Sequence, residues 1–522
     1  MAIMRRPAIC LGLSLSLLAG CAGLPSLDGR IASSALLDTA GTALGQAVAP
    51  LLAEHPGKSG LYALADGRDA FAARAVLANA AQRSLDVQYY IWHNDITGAL
   101  LFGALRAAAE RGVRVRLLLD DNGTAGLDDT LALLDAHTNI EVRLYNPFVL
   151  RGVRILGYLT DFSRLNRRMH NKSFTVDGQA TIVGGRNIGD EYFGAAGDVL
   201  FSDLDVMAIG PAVKEVSHDF DRYWNSASAY PASSLLAAPD GDSAAAVTRA
   251  QATIEQTPTA RAYRVTLRDS SFVAQMRSRS LPFEWATARL VSDDPAKTLS
   301  RASDASRLMP QLRDLVGAPA RSLDLVSAYF VPGDTGTAAF SKLAKSGVAV
   351  RVLTNSLEAT DVPAVHAGYA KSRKPLLAAG VKLYELRATW QPDDRRRRAG
   401  RAGGSVGGSL GSSSSSLHTK TFAVDNQQVF VGSFNFDPRS ARLNTEMGFV
   451  IDSPTMARQL DTRMTGGVAE RAYEVRLGAD GELVWIEHNG GVEKRYDSEP
   501  GAGWWRRLQV QVLSWLPIDW LL

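Results

Sequence analysis

The sequence predicts an α/β fold built from two similar lobes, each with a sheet covered by helices on both faces. Strand-like and helical runs alternate through residues 61–145, which is typical of a covered sheet. The same order of runs returns later, where residues 321–324 and 347–351 repeat the pattern of residues 83–86 and 112–116. A repeated order over whole lobes indicates a duplicated unit.

The elements of the first lobe follow from apolar periodicity and from the positions of helix-breaking residues. Apolar runs rich in β-branched and aromatic residues predict strands at 61–64, 85–92, 113–119 and 140–145. Alanine- and leucine-rich runs between them predict helices at 70–81, 98–111 and 127–136. The second lobe is expected to repeat this order.

Composition shifts divide the chain into segments. We predict a signal peptide at 1–20, a lipidated tether at 21–58, lobe one at 59–229, a linker and connecting segment at 230–283, lobe two at 284–470 and a C-terminal extension at 471–522. Residues 393–416 begin with a run of four consecutive arginines and continue as a Gly/Ser-rich stretch, which cannot bury a core and predicts a disordered insertion. This insertion is either a solvated loop or a mobile lid that contacts anionic lipid.

One motif occurs once in each lobe with identical spacing. Its first copy lies in MHNKSFTVDGQATIVGGRN and its second in LHTKTFAVDNQQVFVGSFN. Each copy reads as strand, tight turn and strand. The shared polar positions are His170, Lys172, Asp177 and Asn187 in the first copy, and His418, Lys420, Asp425 and Asn435 in the second.

Two copies of this motif facing each other offer two imidazoles, two cations and two amides, a set that suits a phosphodiester. The lysines and asparagines can hold the phosphate oxygens as charge develops. One histidine can attack phosphorus while the other protonates the leaving oxygen, which requires different pKa values for the two rings. A carboxylate on the far ring nitrogen would fix each tautomer. The candidates are Asp203 and Glu446, with Asp205 as an alternative to Asp203.

At these residues the chain resembles the phospholipase D superfamily, and more narrowly its bacterial cardiolipin synthase-like branch. The resemblance implies that the two lobes pack as a pseudo-dimer with the active site at their interface. It also implies a covalent phosphohistidine intermediate without a metal or another cofactor. The sequence is symmetric about which histidine attacks, and the resemblance favours His170. The chain departs from a perfect repeat where Gly185 stands opposite Ser433.

Three further residues are candidates for phosphate or head-group binding. The Ser433 hydroxyl is present in only one half of the site. Arg168 precedes the first motif, together with Arg164 and Arg167, and is otherwise a surface charge. His366 shares one side of a predicted helix with nearby Tyr and Arg residues, and it can equally be a core or surface residue.

The N-terminus predicts export and lipidation. A basic start and a short apolar run precede Leu18-Ala19-Gly20-Cys21, which resembles a bacterial lipobox. Cleavage and acylation at Cys21 would leave the protein lipid-anchored and facing the periplasm, and outer-membrane placement is favoured because no Asp follows Cys21. The alternative is an ordinary secretory signal. The only other cysteine, Cys10, lies in the signal segment.

The C-terminal residues 504–522 are rich in Trp, Arg and Leu, and they suit either an interfacial element or a tail packed on the domain. They are too short to span a bilayer. The net charge of +3 over 522 residues gives no case for nucleic acid as a partner.

These observations favour an enzyme whose partners are phospholipid substrates and the membrane surface. The predicted activity is phosphatidyl transfer of the cardiolipin synthase type. The alternatives are a phospholipase D that releases phosphatidic acid, a secreted nuclease of the same superfamily, and a non-catalytic lipid-binding lipoprotein. Two intact motif copies argue against the last, while lipidation and the Trp-rich tail argue against the nuclease.

Overall fold

The computed structural model describes residues 23–195, 199–388 and 414–515. The predicted signal peptide, Cys21, residues 393–413 of the predicted insertion and residues 516–522 therefore lie outside the described residues. Lobe one contains the following helices and strands: Ala43–Glu54 (α1), Ser59–Leu64 (β1), Gly67–Ala80 (α2), Ser84–Ile91 (β2), Ile96–Glu110 (α3), Arg114–Gly123 (β3), Asp128–Asp135 (α4), Ile140–Tyr145 (β4), Arg154–Thr160 (α5), Phe162–Leu165 (α6), Ser173–Val176 (β5), Ala180–Gly184 (β6), Asp190–Phe193 (α7), Val199–Ser202 (β7), Asp205–Ile209 (β8), Pro211–Trp224 (α8), Ala229–Pro231 (β9), Gly241–Glu255 (α9), Pro258–Arg268 (α10), Ser271–Arg277 (α11) and Glu284–Ala286 (β10).

Lobe two follows without a break. Its helices and strands are Ala288–Ser292 (β11), Leu308–Val316 (α12), Ser322–Ser327 (β12), Gly333–Lys345 (α13), Ala349–Asn355 (β13), Pro363–Ala370 (α14), Arg373–Ala378 (α15), Lys382–Leu386 (β14), Ser414–Leu417 (β15), Lys420–Val424 (β16), Gln428–Gly432 (β17), Pro438–Arg442 (α16), Met447–Ile451 (β18), Pro454–Thr462 (α17), Ala472–Leu477 (β19), Leu483–Asn489 (β20), Val492–Tyr496 (β21) and Trp504–Trp515 (α18).

The two main sheets share one topology. Seven strands run β1-β8-β6-β5-β2-β3-β4 in lobe one and β11-β18-β17-β16-β12-β13-β14 in lobe two. In both sheets the three strands at one side are parallel, and the motif hairpin pairs antiparallel with the first of them. This confirms the predicted α/β class with two homologous lobes.

The sheet of lobe one is covered on both faces because alternate side chains of its strands point to opposite layers. Leu117 and Leu119 of β3 belong to the large core beneath α2 and α3, while Leu118 packs with Phe220 and Trp224 of α8 on the other face. A strand buried on both faces reads as a continuous apolar run, as residues 117–119 do.

A separate apolar cluster joins the lobes. It contains buried residues of β1, β6 and β8 from lobe one and of β11, β17 and β18 from lobe two, including Val183, Val206, Val431 and Phe449. These strands lie at corresponding sides of the two sheets. The lobes therefore pack as a pseudo-dimer around the motif hairpins.

Some of the predicted segment boundaries differ from the structure. Most of the segment 230–283, predicted as a linker, forms α9, α10 and α11, which pack against α2, α3 and α4 of lobe one. Strand β10, predicted to open lobe two, pairs with β1 of lobe one. Strands β19, β20 and β21 of the predicted C-terminal extension continue the sheet of lobe two. These differences arise from tertiary contacts and strand pairings, which local composition does not reveal.

The end of the predicted disordered insertion is ordered. Ser414–Leu417 forms β15, which pairs in parallel with β7 of lobe one. A run of serines has no apolar pattern, so its pairing is set by the backbone of the other lobe rather than by its own side chains.

Helix α18 combines the two alternatives for the tail. Val510 is buried and packs, with Leu513 beside it, against Leu357 and Ala367 of lobe two. The opposite side leaves five large apolar side chains exposed: Trp504, Trp505, Leu508, Val512 and Trp515. Across the three described stretches, no helix combines the length and apolar character needed to cross a membrane.

Candidate active site

Short backbone pairings between the lobes position both motif histidines. The His170 amide donates to the carbonyl of Thr445 (2.9 Å), and the Thr445 amide donates to the carbonyl of Arg168 (2.9 Å). In the other half, the His418 amide donates to the carbonyl of Ser202 (2.8 Å). Each histidine thus lies beside the chain segment that carries the other lobe's carboxylate.

The consequence is a crossed pair of histidine–carboxylate contacts. His170 Nδ1 lies 2.8 Å from Glu446 Oε2, and His418 Nδ1 lies 2.6 Å from Asp203 Oδ2. All four side chains are buried. Both predicted carboxylates are therefore in contact with a motif histidine, but each contacts the histidine of the opposite lobe. Asp205, the alternative, instead pairs with Arg74 at 2.8 Å.

The two lysines lie within the same buried site. Lys172 Nζ donates to the carbonyl of His170 (2.6 Å), and Lys420 Nζ makes the equivalent bond to the carbonyl of His418. His170, Lys172 and His418 precede strands β5 and β16 rather than lying within them, so strand alternation does not set their direction. The lysines reach the site by folding back toward their own histidine.

The two asparagines are anchored through their side-chain oxygens. Asn187 Oδ1 accepts from the Ile91 amide (3.2 Å), and Asn435 Oδ1 accepts from the Tyr329 amide (3.4 Å). The Asn187 nitrogen donates to the Tyr192 hydroxyl (3.0 Å). Because the oxygen of each amide is held by the backbone, the NH₂ group is the part of each side chain that can donate to a phosphate oxygen.

The two motif aspartates bind backbone amides rather than groups of the active site. Asp177 accepts from the amides of Arg83 (2.8 Å) and Ser84 (2.9 Å), and Asp425 accepts from those of Arg321 (2.6 Å) and Ser322 (2.9 Å). Both occupy left-handed turn positions, with φ of 51° and 55°. They tie the hairpin turn to the start of the neighbouring strand and do not contact the histidines.

Burial and neighbouring cations keep the His170 ring neutral. Desolvation, followed by the charges of Lys172, Lys420 and His418, holds the pKa of His170 well below its ordinary value. Desolvation also raises the pKa of its partner Glu446 to about 7, although Lys172 opposes this shift. A neutral imidazole with a free ring nitrogen is the form that can attack phosphorus.

The second ring has a more strongly charged partner. Burial acts to raise the pKa of Asp203, but His418, Lys420 and Arg186 together hold it below its ordinary value. The pKa of His418 is lowered by desolvation and Lys420, while the ionised Asp203 acts in the opposite direction. An imidazolium is therefore better supported at His418 than at His170.

Desolvation also lowers the pKa of Lys172 to about 7 and that of Lys420 to about 8. Both lysines therefore have pKa values close to neutral pH, and a bound phosphate would favour their charged forms. The influence of Lys420 and His418 on His170 shows that the two motifs share one electrostatic site.

Three predicted head-group residues have other partners. Arg168 is buried and pairs with Asp120, with its Nε 2.8 Å from Oδ1, so its charge is already neutralised. His366 is also buried, and its ring contacts Glu499 (3.2 Å) and the Arg373 guanidinium, which joins the C-terminal segment to lobe two. These contacts give no support to head-group binding at Arg168 and His366, which stays a prediction.

Ser433, the third predicted head-group residue, explains why the two motifs differ at this position. The Ser433 hydroxyl donates to Glu446 Oε2 (2.5 Å), so its partner is the carboxylate that contacts His170. At Gly185 an added Cβ would lie only 2.2 Å from Asp203 Oδ1. Because aspartate is one methylene shorter than glutamate, its carboxylate occupies the space that the serine fills in the other lobe.

We expect Gly185→Ser to lower turnover more than Ser433→Gly. The first change forces Asp203 away from His418, whereas the second removes one hydrogen bond to Glu446, worth about 1–3 kcal/mol because the acceptor is charged. Steady-state rates with matched thermal melts check this order. A Gly185→Ser variant with native turnover would mean that Asp203 can relax without consequence.

Aromatic neighbours that the motif analysis missed enclose both rings. Tyr90 packs edge-on against His170 with ring centroids 5.0 Å apart, and Tyr192 packs in the same way against His418 at 5.1 Å. Phe201 stacks on His418 from another side, at 5.4 Å. Tyr90 falls within the predicted strand 85–92. Its position near the end of that strand was the feature of the sequence that could have indicated its place beside the active site.

Within the described residues, one group of three side chains has metal-ligand spacing: His93, Asp95 and Glu191, whose ligand atoms lie within 4.8 Å of one another. Asp95 already accepts from the amides of Gly98 (2.9 Å) and Asp190 (2.7 Å), and His93 pairs with Glu191 at 3.2 Å. Helix capping and an ion pair account for this group, and we assign no metal to it.

Comparisons with known proteins agree with this geometry. A family model described as "Cardiolipin synthase, PLD-like domain" matches residues 75–224 and 312–466. The chain is 50% identical over 479 residues to cardiolipin synthase C of Escherichia coli K12, covering 92% of this chain and 99% of that protein. A cardiolipin synthase of Staphylococcus aureus Mu50 is 23% identical over 78% of this chain and 67% of its own length.

A solved structure supports the fold. The phosphatidylserine synthase of Haemophilus influenzae Rd KW20 superposes with a TM-score of 0.52 at 14% identity, over 83% of this chain and 91% of its own. At this identity the likeness concerns the fold alone. Both motif copies fall within the ranges that the family model matches.

Proposed function

The chain belongs to the cardiolipin synthase family of phospholipase D-like proteins, and on that premise we propose that it transfers phosphatidyl groups between phospholipids through a phosphohistidine. The observation that carries the proposal is the crossed pair of contacts, His170 with Glu446 and His418 with Asp203. Two histidines with separate carboxylates supply a nucleophile and an acid in one buried site.

In the first step, the free ring nitrogen of His170 attacks the phosphorus of a phospholipid. The P–N bond forms as the bond to the leaving alcohol oxygen breaks, and His418 donates its proton to that oxygen. In the second step, His418 removes the proton of an incoming alcohol, whose oxygen attacks phosphorus and breaks the P–N bond. Lys172, Lys420 and the two motif asparagines hold the phosphate oxygens.

The assignment of roles rests on the different surroundings of the rings. The lowered pKa of His170, caused by burial and three nearby cations, favours a neutral nucleophile. The ionised Asp203 beside His418 favours the protonated acid. Glu446 then stabilises the positive charge that develops on His170 after attack.

The acceptor determines the product. The glycerol head group of a second phosphatidylglycerol gives cardiolipin, whereas water gives phosphatidic acid. The 50% identity to a cardiolipin synthase over nearly the whole of both chains favours the lipid acceptor.

The test is mass spectrometry of the lipids formed when the purified protein receives phosphatidylglycerol and phosphatidylethanolamine, with His170→Ala as the control. Cardiolipin that depends on His170 is the expected product. Phosphatidic acid alone would identify a hydrolase, and the absence of any new lipid would overturn phosphatidyl transfer.

We place this activity at the surface of a bacterial membrane. The Leu18-Ala19-Gly20-Cys21 sequence supports a lipid anchor at Cys21, facing the periplasm and favouring the outer membrane. Helix α18 supports a second, weaker contact, because its packed side fixes it to lobe two while its tryptophans remain exposed.

A further inference from the structure

Exposed apolar side chains are concentrated in one segment of lobe one. Of the 17 large hydrophobic side chains that are exposed among the described residues, 6 lie within residues 150–162. Ile155 and Leu159 are 74% and 82% exposed, and their i, i+4 spacing puts them on one side of α5. Such a concentration within one short segment marks an interaction surface.

The segment is held rigidly on its other side. Arg151 and Arg154 of this segment pair with Asp128, at 2.5 and 3.0 Å. Gly157 packs so closely that an added Cβ would meet Leu165 at 3.0 Å. The outward apolar side is therefore presented by a fixed helix.

A chain of contacts connects this helix to the candidate nucleophile. The Tyr158 hydroxyl donates to Asn122 Oδ1 (2.9 Å), and Asn122 Nδ2 donates to the Tyr90 hydroxyl (3.3 Å). Tyr90 in turn packs edge-on against His170. The covalent path is also short, because α6 ends five residues before His170.

A basic groove includes Arg167, which follows the apolar segment by five residues in the sequence. Arg167, Arg307 and Arg442 line this groove of about 390 Å³, whereas Lys297 beside them is already paired with Asp293 at 2.9 Å. Burial and the charge of Arg307 lower the pKa of Arg167, so these like charges act on one another. An exposed apolar segment followed closely in the sequence by an arginine of a guanidinium cluster complements a bilayer that contains anionic lipid.

We propose that residues 150–162, the α5 face, dock on the surface of an anionic phospholipid bilayer and seat the active site against it. The proposal rests on the proposed function, since the donor lipid must keep its acyl chains in the bilayer while its phosphorus reaches His170. The α5 face inserts its apolar side chains among the lipids, and the basic groove contacts their phosphates. This surface is separate from Cys21 and from α18.

A position-specific probe tests docking without relying on catalysis. Ile155→Cys, labelled with an environment-sensitive fluorophore in the full-length lipidated protein, should shift its emission to the blue on reconstitution into phosphatidylglycerol-containing vesicles. The matched control is the same label at Val265→Cys, an exposed apolar position on α10, which should not shift. The proposal would be overturned if position 155 showed no shift or if both positions shifted equally. It would also be overturned by a shift that depends on protein concentration in the absence of vesicles, which would identify a second copy of the chain as the occupant.

A kinetic experiment with two substrates separates membrane docking from the chemical step. Ile155→Glu/Leu159→Glu should lower turnover of phosphatidylglycerol in vesicles by at least about tenfold, because charged side chains cannot insert. Turnover of a short-chain monomeric phosphatidylglycerol should stay unchanged. Val265→Glu/Val492→Glu, at exposed apolar positions elsewhere, should alter neither rate. An equal loss of turnover on the two substrates would overturn docking. A wild-type protein inactive on both substrates would overturn the proposed function, and docking would then be decided by the fluorescence experiment.

Discussion

We expect His170→Ala to lower phosphatidyl transfer by roughly 10⁶-fold, the loss typical of removing a catalytic nucleophile. The reason is chemical: without the ring at residue 170, no group with a free nitrogen lies beside Glu446 to form the covalent intermediate. Rates of cardiolipin formation measure the loss. A melting temperature close to that of the wild type would show that the fold survives.

His418→Ala should be nearly as damaging on natural lipids and far less so on an activated substrate. Natural alkoxide leaving groups need a proton from His418, whereas a nitrophenolate leaves without one. The phosphatidyl group should then remain bound to His170, because no base activates the acceptor.

Mass analysis of the peptide that contains residue 170 detects this adduct. An adduct on His418 in the His170→Ala variant, with none in the converse variant, would reverse the two roles. Substantial transfer by either folded variant would contradict the two-histidine mechanism altogether.

Local patterns predicted much of the fold. The strand 140–145 matches its predicted bounds, because it is an apolar run with a clear break at its ends. The tight turn predicted in each motif copy also agrees, since Asp177, Gly178, Asp425 and Asn426 all have the positive φ that such hairpin turns demand. Nothing comparable marks residues 414–417, whose strand depends on a partner in the other lobe.

The candidate site was predictable in its residues but not in its pairing. Spacing alone selected both histidines and both carboxylates, yet similar distances along the chain could not show that Glu446 contacts His170. That contact depends on the backbone pairing of residues 168–170 with Thr445 across the lobe interface. The buried ion pair of Arg168 was not visible in the sequence for a related reason, because its partner Asp120 lies 48 residues earlier.

The crossed pairing of histidines and carboxylates leads to a second prediction with a large expected effect on the rate of transfer. We expect Glu446→Gln and Asp203→Asn each to slow transfer of natural lipids by about 10²–10⁴-fold, in the range seen when a histidine loses its orienting carboxylate. Their effects should separate on the activated nitrophenyl substrate, because only the nucleophile is needed there. Glu446→Gln should slow adduct formation on His170, whereas Asp203→Asn should leave it close to the wild-type rate.

The pH profile gives an independent check on Glu446. Its pKa is raised to about 7 by burial, so below pH 7 it is protonated and no longer accepts from the His170 ring. Adduct formation should therefore rise as pH increases toward 7, and it should fall again at higher pH as Lys172 and Lys420, whose pKa values are lowered to about 7 and about 8, lose their protons. Glu446→Gln should remove the rising limb that Asp203→Asn retains. If instead Asp203→Asn slowed the adduct step and Glu446→Gln spared it, each carboxylate would serve the histidine of its own lobe, and the crossed arrangement would not be the one that acts in solution.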